Sequence, residues 1–411
     1  MPTLDLDFVR QQFPAFAEPS LQGTAFFENA GGSYMCKQVM GRFETYFRQL
    51  KLQPYYPNSA SSKAGDWMDE GYSALAPWLN VSADDIYFGP STSQNTYVLA
   101  NAVHRWLQPG DEIIVTNQDH EANSGVWRRL ADRGVIVREW QVNPENGKLD
   151  VKALENIFTS KSKLLVFPHC SNILGEINPV AEICRLARAY GIRTIVDGVS
   201  FAGHGLPDFK KLGADIYLFS LYKVYGPHQG VMVIGRDMAE LLGNEGHFFN
   251  ADIREKRLMP AGPDHAQIAA TKGVADYFES LYVHHFGLKG MTSPEQKATA
   301  VRSLLHDAEA SLLAPLIEYL NQHPSVRVIG PEGTEGRAPT VSITVQGYEP
   351  LQLAEKLGLE GFFCGAGHFY SYRLLKALNI DPSLGVLRFS MVHYTSANDV
   401  AQLIDALDRL I

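Results

Sequence analysis

The sequence predicts an α/β fold with a mostly parallel sheet, and three observations carry that expectation. From about residue 84, short apolar segments alternate with stretches of helical periodicity. Seven of those segments read as strands, being short, apolar, and bounded by turn residues: Asp85–Phe88, Glu112–Thr116, Val135–Trp140, Lys163–Phe167, Arg193–Asp197, Ile216–Phe219 and Val231–Ile234. The third observation is length, since 411 residues exceed the usual size of one hydrophobic core and point to roughly two domains.

Composition narrows the class. A hydrophobic share of 45% and a charged share of 20% describe an ordinary globular chain, and a net charge of −9 without clustered Lys or Arg excludes a nucleic-acid surface. Small-molecule chemistry is what remains. No apolar run approaches the length of a membrane span. Residues 1–16 mix Asp5, Asp7 and Arg10 among apolar residues and lack the core of a signal peptide. Cys36, Cys170, Cys184 and Cys364 have no CxxC spacing, so a reducing cytoplasm is expected and no zinc site. His284-His285 has no partner at ligand spacing, and no metal is expected there.

In parallel sheets, ligands gather beyond the carboxyl ends of the strands, so the residue that follows each strand matters most. The first strand is followed by Ser91-Thr92-Ser93 and a helical stretch ending near Pro109-Gly110; hydroxyls and free N–H groups at a helix start suit a phosphate, or a plain N-cap. The second is followed by Asp119-His120, which brings an imidazole. After the fourth comes Asn172 in a turn. The stretch Pro179–Tyr190 then reads as a helix with Pro179 in its first turn, Gly191 as its stop, and Val180, Ile183, Cys184 and Ala187 on one buried face. The fifth strand ends in Asp197, a carboxylate that needs a cation or strong hydrogen bonds if buried. The sixth is followed by Ser220, Tyr222 and Lys223. A lysine partly desolvated at a strand end loses its proton more readily and becomes able to form a Schiff base.

A phosphate cradle, a carboxylate for a flat cationic ring, an imidazole able to stack and a Schiff-base lysine together describe a site for pyridoxal 5'-phosphate. On these residues the chain resembles the class V aminotransferase family of fold-type I pyridoxal-phosphate enzymes, and within it the cysteine desulfurase-like group. Phe26-Phe-Glu-Asn-Ala-Gly-Gly32 resembles the Leu-Asp-Asn-Ala-Ala segment, Asp119-His120-Glu-Ala-Asn123 the Glu-His-x-Ala-Asn stretch, and Ser171-Asn172-Ile-Leu-Gly175 the Ser-Asn-Val-Leu-Gly turn. Val196-Asp197-Gly and Ser220-Leu-Tyr222-Lys223-Val-Tyr-Gly226-Pro227 are similar to Val-Asp-Gly and Ser-x-His-Lys-x-x-Gly-Pro, with tyrosine at the histidine position.

The resemblance implies a large cofactor-binding domain over residues 21–284 with a seven-stranded, mostly parallel sheet. A smaller α/β domain over 285–411 would pack with residues 1–20. It implies Lys223, His120 and Asp197 as catalytic residues, with Ser91, Thr92, Ser93, Asn172, Ser200, Ser220 and Tyr222 completing the cofactor site. Asn29, Ala30, Gly31 and Asn172 would lie beside the substrate, and Arg388 would grip its α-carboxylate. The segment Gly262–His265 would reach a neighbouring subunit in a homodimer.

Three departures bear on the reaction. Ser200 stands where the family has glutamine or histidine, Tyr370 where desulfurases carry the sulfur-attacking cysteine, and Gly365 where they carry a loop arginine. Cys364 is expected to be packed. The expected reaction is therefore β-elimination of the lyase type on a small amino acid. Transamination or racemisation is the alternative, and a non-catalytic cofactor-binding protein is the alternative of another class. A nucleotide-binding dehydrogenase would need a glycine-rich loop that Gly89-Pro-Ser-Thr-Ser is not.

Overall fold

The structure is a computed structural model that describes residues 2–287 and 293–411. Met1 of the expected amino-terminal segment and residues 288–292 of the expected smaller domain lie outside the described residues. Thirteen strands occur among the described residues: β1 (Ala25–Phe26), β2 (Ile86–Gly89), β3 (Glu112–Thr116), β4 (Ile136–Trp140), β5 (Ser162–Pro168), β6 (Arg193–Asp197), β7 (Ile216–Ser220), β8 (Gly230–Ile234), β9 (Val326–Ile329), β10 (Thr340–Val345), β11 (Phe362–Phe363), β12 (Gly365–Gly367) and β13 (Val386–Ser390).

All seven expected strands form one sheet, in the order β2-β8-β7-β6-β5-β3-β4. The pairs from β7 to β4 are parallel, whereas β8 runs antiparallel to both β7 and β2. Six strands therefore end on one rim, which is where the site lies. The strands read as continuous apolar runs because both faces of the sheet are covered. Tyr217 and Phe219 of β7 enter one core cluster, while Ile216 and Leu218 enter the other. Each such fully buried side chain stabilises the sheet by about 1.5–3 kcal/mol.

Boundaries moved where local hydrogen bonding outweighed apolar pattern. β2 begins at Ile86 because Ala83–Asp85 is a 3-10 turn in which Ser82 and Asp85 cap each other. The helix after Ser91 spans Thr92–His104 and stops short of Pro109-Gly110, since Trp106 and Leu107 both turn back to the Val103 carbonyl. Pro179 precedes the helix Val180–Ala189 as its cap, with a ψ of 71° that is not helical. The buried face of that helix is Val180, Ile183, Cys184 and Ala187, as its spacing predicts.

A second sheet, β12-β13-β10-β9, is antiparallel throughout and packs on its own cluster with the helices Pro294–Gln322 and Ala397–Leu410. The helix Leu6–Arg10 joins this region, because Arg10 pairs with Asp399 at 2.5 Å and donates to the Tyr394 carbonyl at 3.0 Å. The expected boundary at 284/285 falls in the last turn of the helix His265–Phe286. His284 is engaged by Asp5 at 2.9 Å and stacks on Phe8, and no metal-ligand cluster occurs among the described residues. No helix among them is long and apolar enough to cross a membrane.

Candidate active site

Beyond the carboxyl rim of the large sheet lies a cavity of about 200 Å³. Ser91, Thr92 and Ser93 border it after β2, His120 after β3 and Asn172 after β5. Asp197 and Ser200 border it after β6, and Ser220, Tyr222 and Lys223 after β7. Ten of the predicted site residues thus meet around one space, drawn from five strand ends.

The helix Thr92–His104 points its amino terminus at this cavity. Ser91 is its N-cap, and its Oγ accepts from the Gln94 N–H at 3.2 Å, so the plain capping role is realised in that residue. Thr92 Oγ1 and Ser220 Oγ lie 2.7 Å apart across the helix start. The helix comes this close to the sheet because Gly89 and Gly230, paired across β2 and β8, have no side chains. A Cβ on Gly230 would stand 2.6 Å from the Thr92 nitrogen, and one on Gly89 would stand 1.8 Å from Asn95 Oδ1. The Asn95 amide nitrogen beneath is buried without a partner. N–H groups and hydroxyls concentrated at a helix start form an anion seat.

On the opposite side sits Asp197, 6% exposed, with a single backbone donor, the Val199 N–H, at 2.8 Å. Burial pushes its pKa up to about 6, opposed by that hydrogen bond and by the Lys223 charge. Asp119 is buried beside it. Asn123 Nδ2 donates to Asp119 Oδ2 at 2.6 Å, while Oδ1 has no partner. Burial, and then the Asp197 charge, drive the Asp119 carboxyl well above its ordinary range. Two acids so close do not both ionise readily, and the pair calls for a cation in the cavity.

His120 caps the next helix. Its Nδ1 accepts from the Ala122 N–H at 3.1 Å, and burial lowers its pKa to about 3, so the ring is neutral and its proton lies on Nε2. Tyr370 leans against this ring at 5.1 Å, and its carbonyl accepts from the Glu121 N–H at 2.8 Å.

Lys223 closes a 3-10 turn, Leu221–Lys223, directly after β7. Ser33 anchors the turn by donating its N–H and Oγ to the Tyr222 carbonyl at 3.0 and 3.1 Å. From the other side, Gly203 fits against the turn only because it lacks a Cβ, which would lie 2.4 Å from the Lys223 carbonyl. Tyr225, at a φ of 62°, is buried and donates to the Gly203 carbonyl. Burial and then the Arg388 charge lower the Lys223 pKa to about 8. A lysine so tuned holds roughly a tenth of its amine unprotonated at pH 7.

Asn29, Ala30, Gly31 and Arg388 do not border the cavity. The Asn29 amide donates to the Ser390 carbonyl at 2.8 Å and its oxygen accepts from Tyr394. The Ala30 N–H donates to Ser390 Oγ at 2.7 Å, and the Gly31 N–H to the Glu28 carbonyl at 2.9 Å. Arg388, 2% exposed, donates to the Asn172 carbonyl at 3.1 Å and pairs with Glu28 at 2.5 Å. Asn172 itself borders the cavity, although its amide donates to the Phe369 carbonyl and its oxygen accepts from Ser371. Gly365 belongs to β12, and Cys364 packs against the second core, where burial raises its pKa to about 12.

Sequence reasoning missed Asp119 and His228. His228 borders the cavity and stacks on Tyr222, with ring centroids 4.8 Å apart at 6°. Both residues stand in the same stretches as His120 and Lys223. Their strand-end position was the available signal.

An anion seat at a helix start, a pair of under-neutralised acids opposite, and a lysine held near neutrality between them fit pyridoxal phosphate, whose phosphate and ring nitrogen need those two ends. The architecture and the cavity define a fold-type I pyridoxal-phosphate enzyme. The chain belongs to the Aminotransferase class-V family, whose sequence pattern matches residues 25–257 and 298–403. It is 34% identical to the aminotransferase-like protein FGM3 of Gibberella zeae, covering 100% of this chain and 99% of that one. It is 28% identical to a cysteine desulfurase of Serratia proteamaculans over 98% of each. A solved apo cysteine desulfurase from Thermococcus onnurineus shares the fold with a TM-score of 0.86 at 23% identity, covering 100% of this chain and 99% of that one. Family membership makes it a pyridoxal-phosphate-dependent enzyme, and the non-catalytic alternative goes no further.

Proposed function

We propose that this enzyme eliminates a leaving group from the β-carbon of a small amino acid, without a persulfide-forming cysteine. The observation that carries the reading is the pairing of a tuned lysine with thiols that are held protonated. Lys223 is depressed to about 8, whereas Cys170, which borders the same cavity, is pushed up to about 12 by burial, Tyr370 stands next to His120, and Cys364 is likewise raised to about 12.

Bound in the cavity, pyridoxal phosphate supplies an electron sink for the charge released at Cα. Lys223 Nζ would take the Cα proton, since its amine is available near neutrality. Asp197 would hold a proton on the ring nitrogen, and the coupled Asp119 would keep the local charge in balance. Neutral His120 would lie on the ring face. Ser91, Thr92, Ser93 and Ser220 would hold the phosphate, with Asn172, Ser200 and Tyr222 along the ring. Arg388, with Asn29, Ala30 and Gly31, would orient the substrate carboxylate. Transamination uses the same residues and is the second reading, supported by the aminotransferase-like relative at 34% identity.

We place residues 21–284 in a cofactor-binding domain and residues 1–20 with 285–411 in a smaller one, located in the cytoplasm. We also propose a homodimer. The loop Gly262–His265 borders a surface cavity of about 820 Å³ with Tyr55, and Phe248 nearby is 87% exposed. Purified protein saturated with pyridoxal phosphate, incubated with small amino acids bearing β-leaving groups, should release pyruvate and ammonia together. Conversion of the cofactor to its amine form, reversed by a keto acid, would move the enzyme to the transaminase reading.

A further inference from the structure

The guanidinium that should receive a substrate carboxylate already has one. Glu28 Oε1 lies 2.5 Å from Arg388 Nη2, and the Asn172 carbonyl takes Nη1 at 3.1 Å. The Phe369 ring covers the guanidinium face, with its centroid 3.6 Å from Cζ. Arg388 Nε and Glu28 Oε2 are both buried without partners, so the pair is closed but not fully satisfied. The seat of Glu28 is built for it. A Cβ on Gly31 would stand 2.5 Å from Glu28 Oε1, and one on Gly365 would stand 2.6 Å from Oε2. Arg388 is still close enough to the cavity to depress the Lys223 pKa.

We infer that Glu28 is a specificity-determining residue that competes with the substrate α-carboxylate for Arg388. Resting on the amino-acid reading above, this says which amino-group substrates the site favours. A free α-carboxylate must displace an internal carboxylate from the same guanidinium, and it recovers only the difference between two similar ion pairs. A substrate whose carboxyl is absent, or masked as an ester or thioester, meets no such competition. The free amino acid therefore loses most of the advantage that its carboxylate would bring to an open arginine.

The test is calorimetric binding of propionate to the cofactor-loaded protein and to its Glu28→Gln variant, with KM and kcat for an amino acid measured alongside. Glutamine keeps the shape and removes the charge, so propionate should bind about tenfold more tightly, as a charge-assisted contact is no longer contested. KM should fall with kcat within about threefold. Glu28→Asp, one methylene further from Arg388, is the second variant should the first fail to fold, and its gain should be smaller. Equal propionate affinity in parent and variants, with cofactor absorbance intact, would overturn the inference. Missing cofactor absorbance in every sample would instead overturn the functional reading, while a tightened propionate constant would leave Glu28 as the competitor.

Discussion

The two rims of the large sheet treat carboxylates in opposite ways. At the amino-terminal rim, Glu112 accepts from Arg138 Nε and Nη2, each at 2.7 Å, and from Thr159 and Ser162 at 2.6 and 3.2 Å. The Arg138 contact, foremost, holds its pKa down at about 2. Asp215, at the same rim, accepts from Arg193, from the Thr194 N–H and from the Thr194 hydroxyl. At the carboxyl rim, Asp197 accepts from the Val199 N–H and Asp119 Oδ2 from Asn123 while Asp119 Oδ1 has no partner, and burial pushes both carboxyls upward. A carboxylate whose lone pairs are all used serves the fold. One left short of donors is waiting for a ligand.

Four measurements break or sharpen this contrast. The largest effect belongs to the lysine among the under-neutralised acids: Lys223→Ala should lower turnover by about 10⁴-fold while the melting temperature of the apo-protein holds or rises. Unfolding that tracks the activity loss would make Lys223 structural.

Next, the two rims should respond to charge removal with opposite signs. Asp197 has a raised pKa, so its contribution to apo-protein stability is complete below its ordinary 3.8 and is lost as pH rises through about 6. Asp197→Asn should therefore match the parent near pH 3.8 and exceed it by roughly 3 kcal/mol at pH 7, with kcat down about 10³-fold. Glu112 has a lowered pKa, so its stabilisation is complete above 4.5 and is lost as pH falls through about 2. Glu112→Gln should cost about 2 kcal/mol at pH 7 and leave kcat unchanged. Denaturant unfolding of the apo-proteins at several pH values checks both, and equal signs would erase the distinction between the rims.

A smaller effect reports the lysine directly. The rate at which apo-protein captures the cofactor should rise about tenfold per pH unit up to about 8 and level off above it, since only the free amine of Lys223 reacts. A climb continuing to pH 10 would mean an ordinary lysine. The smallest effect concerns the second core. Cys364→Ala should alter turnover less than about twofold, because a thiol held near pKa 12 is not a nucleophile at neutral pH.

Much of this site could be read one strand at a time. Ser91, His120, Asp197 and Lys223 each follow an apolar run closely enough that the parallel sheet alone brings them to one rim. The Asp119–Asp197 coupling could not be read so, because β5 lies between β3 and β6 in the sheet and only the tertiary fold brings the two acids near. Nor could the Arg388–Glu28 pair, whose members are 360 positions apart and meet through a short parallel bridge between Glu28 and Ser390. The helix boundaries shifted for a different reason, since Val103 accepting two N–H groups is local chemistry that apolar spacing does not encode.

The clasp between the amino-terminal segment and β13 also orders events in time. Phe27 accepts from the Ser390 N–H, Ala30 donates to Ser390 Oγ, and Asn29 takes Tyr394. In chain order, residues 27, 29 and 30 therefore meet those partners only once residues 390–394 have been made, whereas Ser33 finds the Tyr222 carbonyl much earlier. The parallel sheet has by then been complete for about 160 residues of synthesis, counted from Ile234. Contacts of such long sequence separation close late and slowly. The strand ends that carry Lys223, Asp197 and Asp119 can thus assemble before the clasp that joins Glu28 to the Arg388 strand closes.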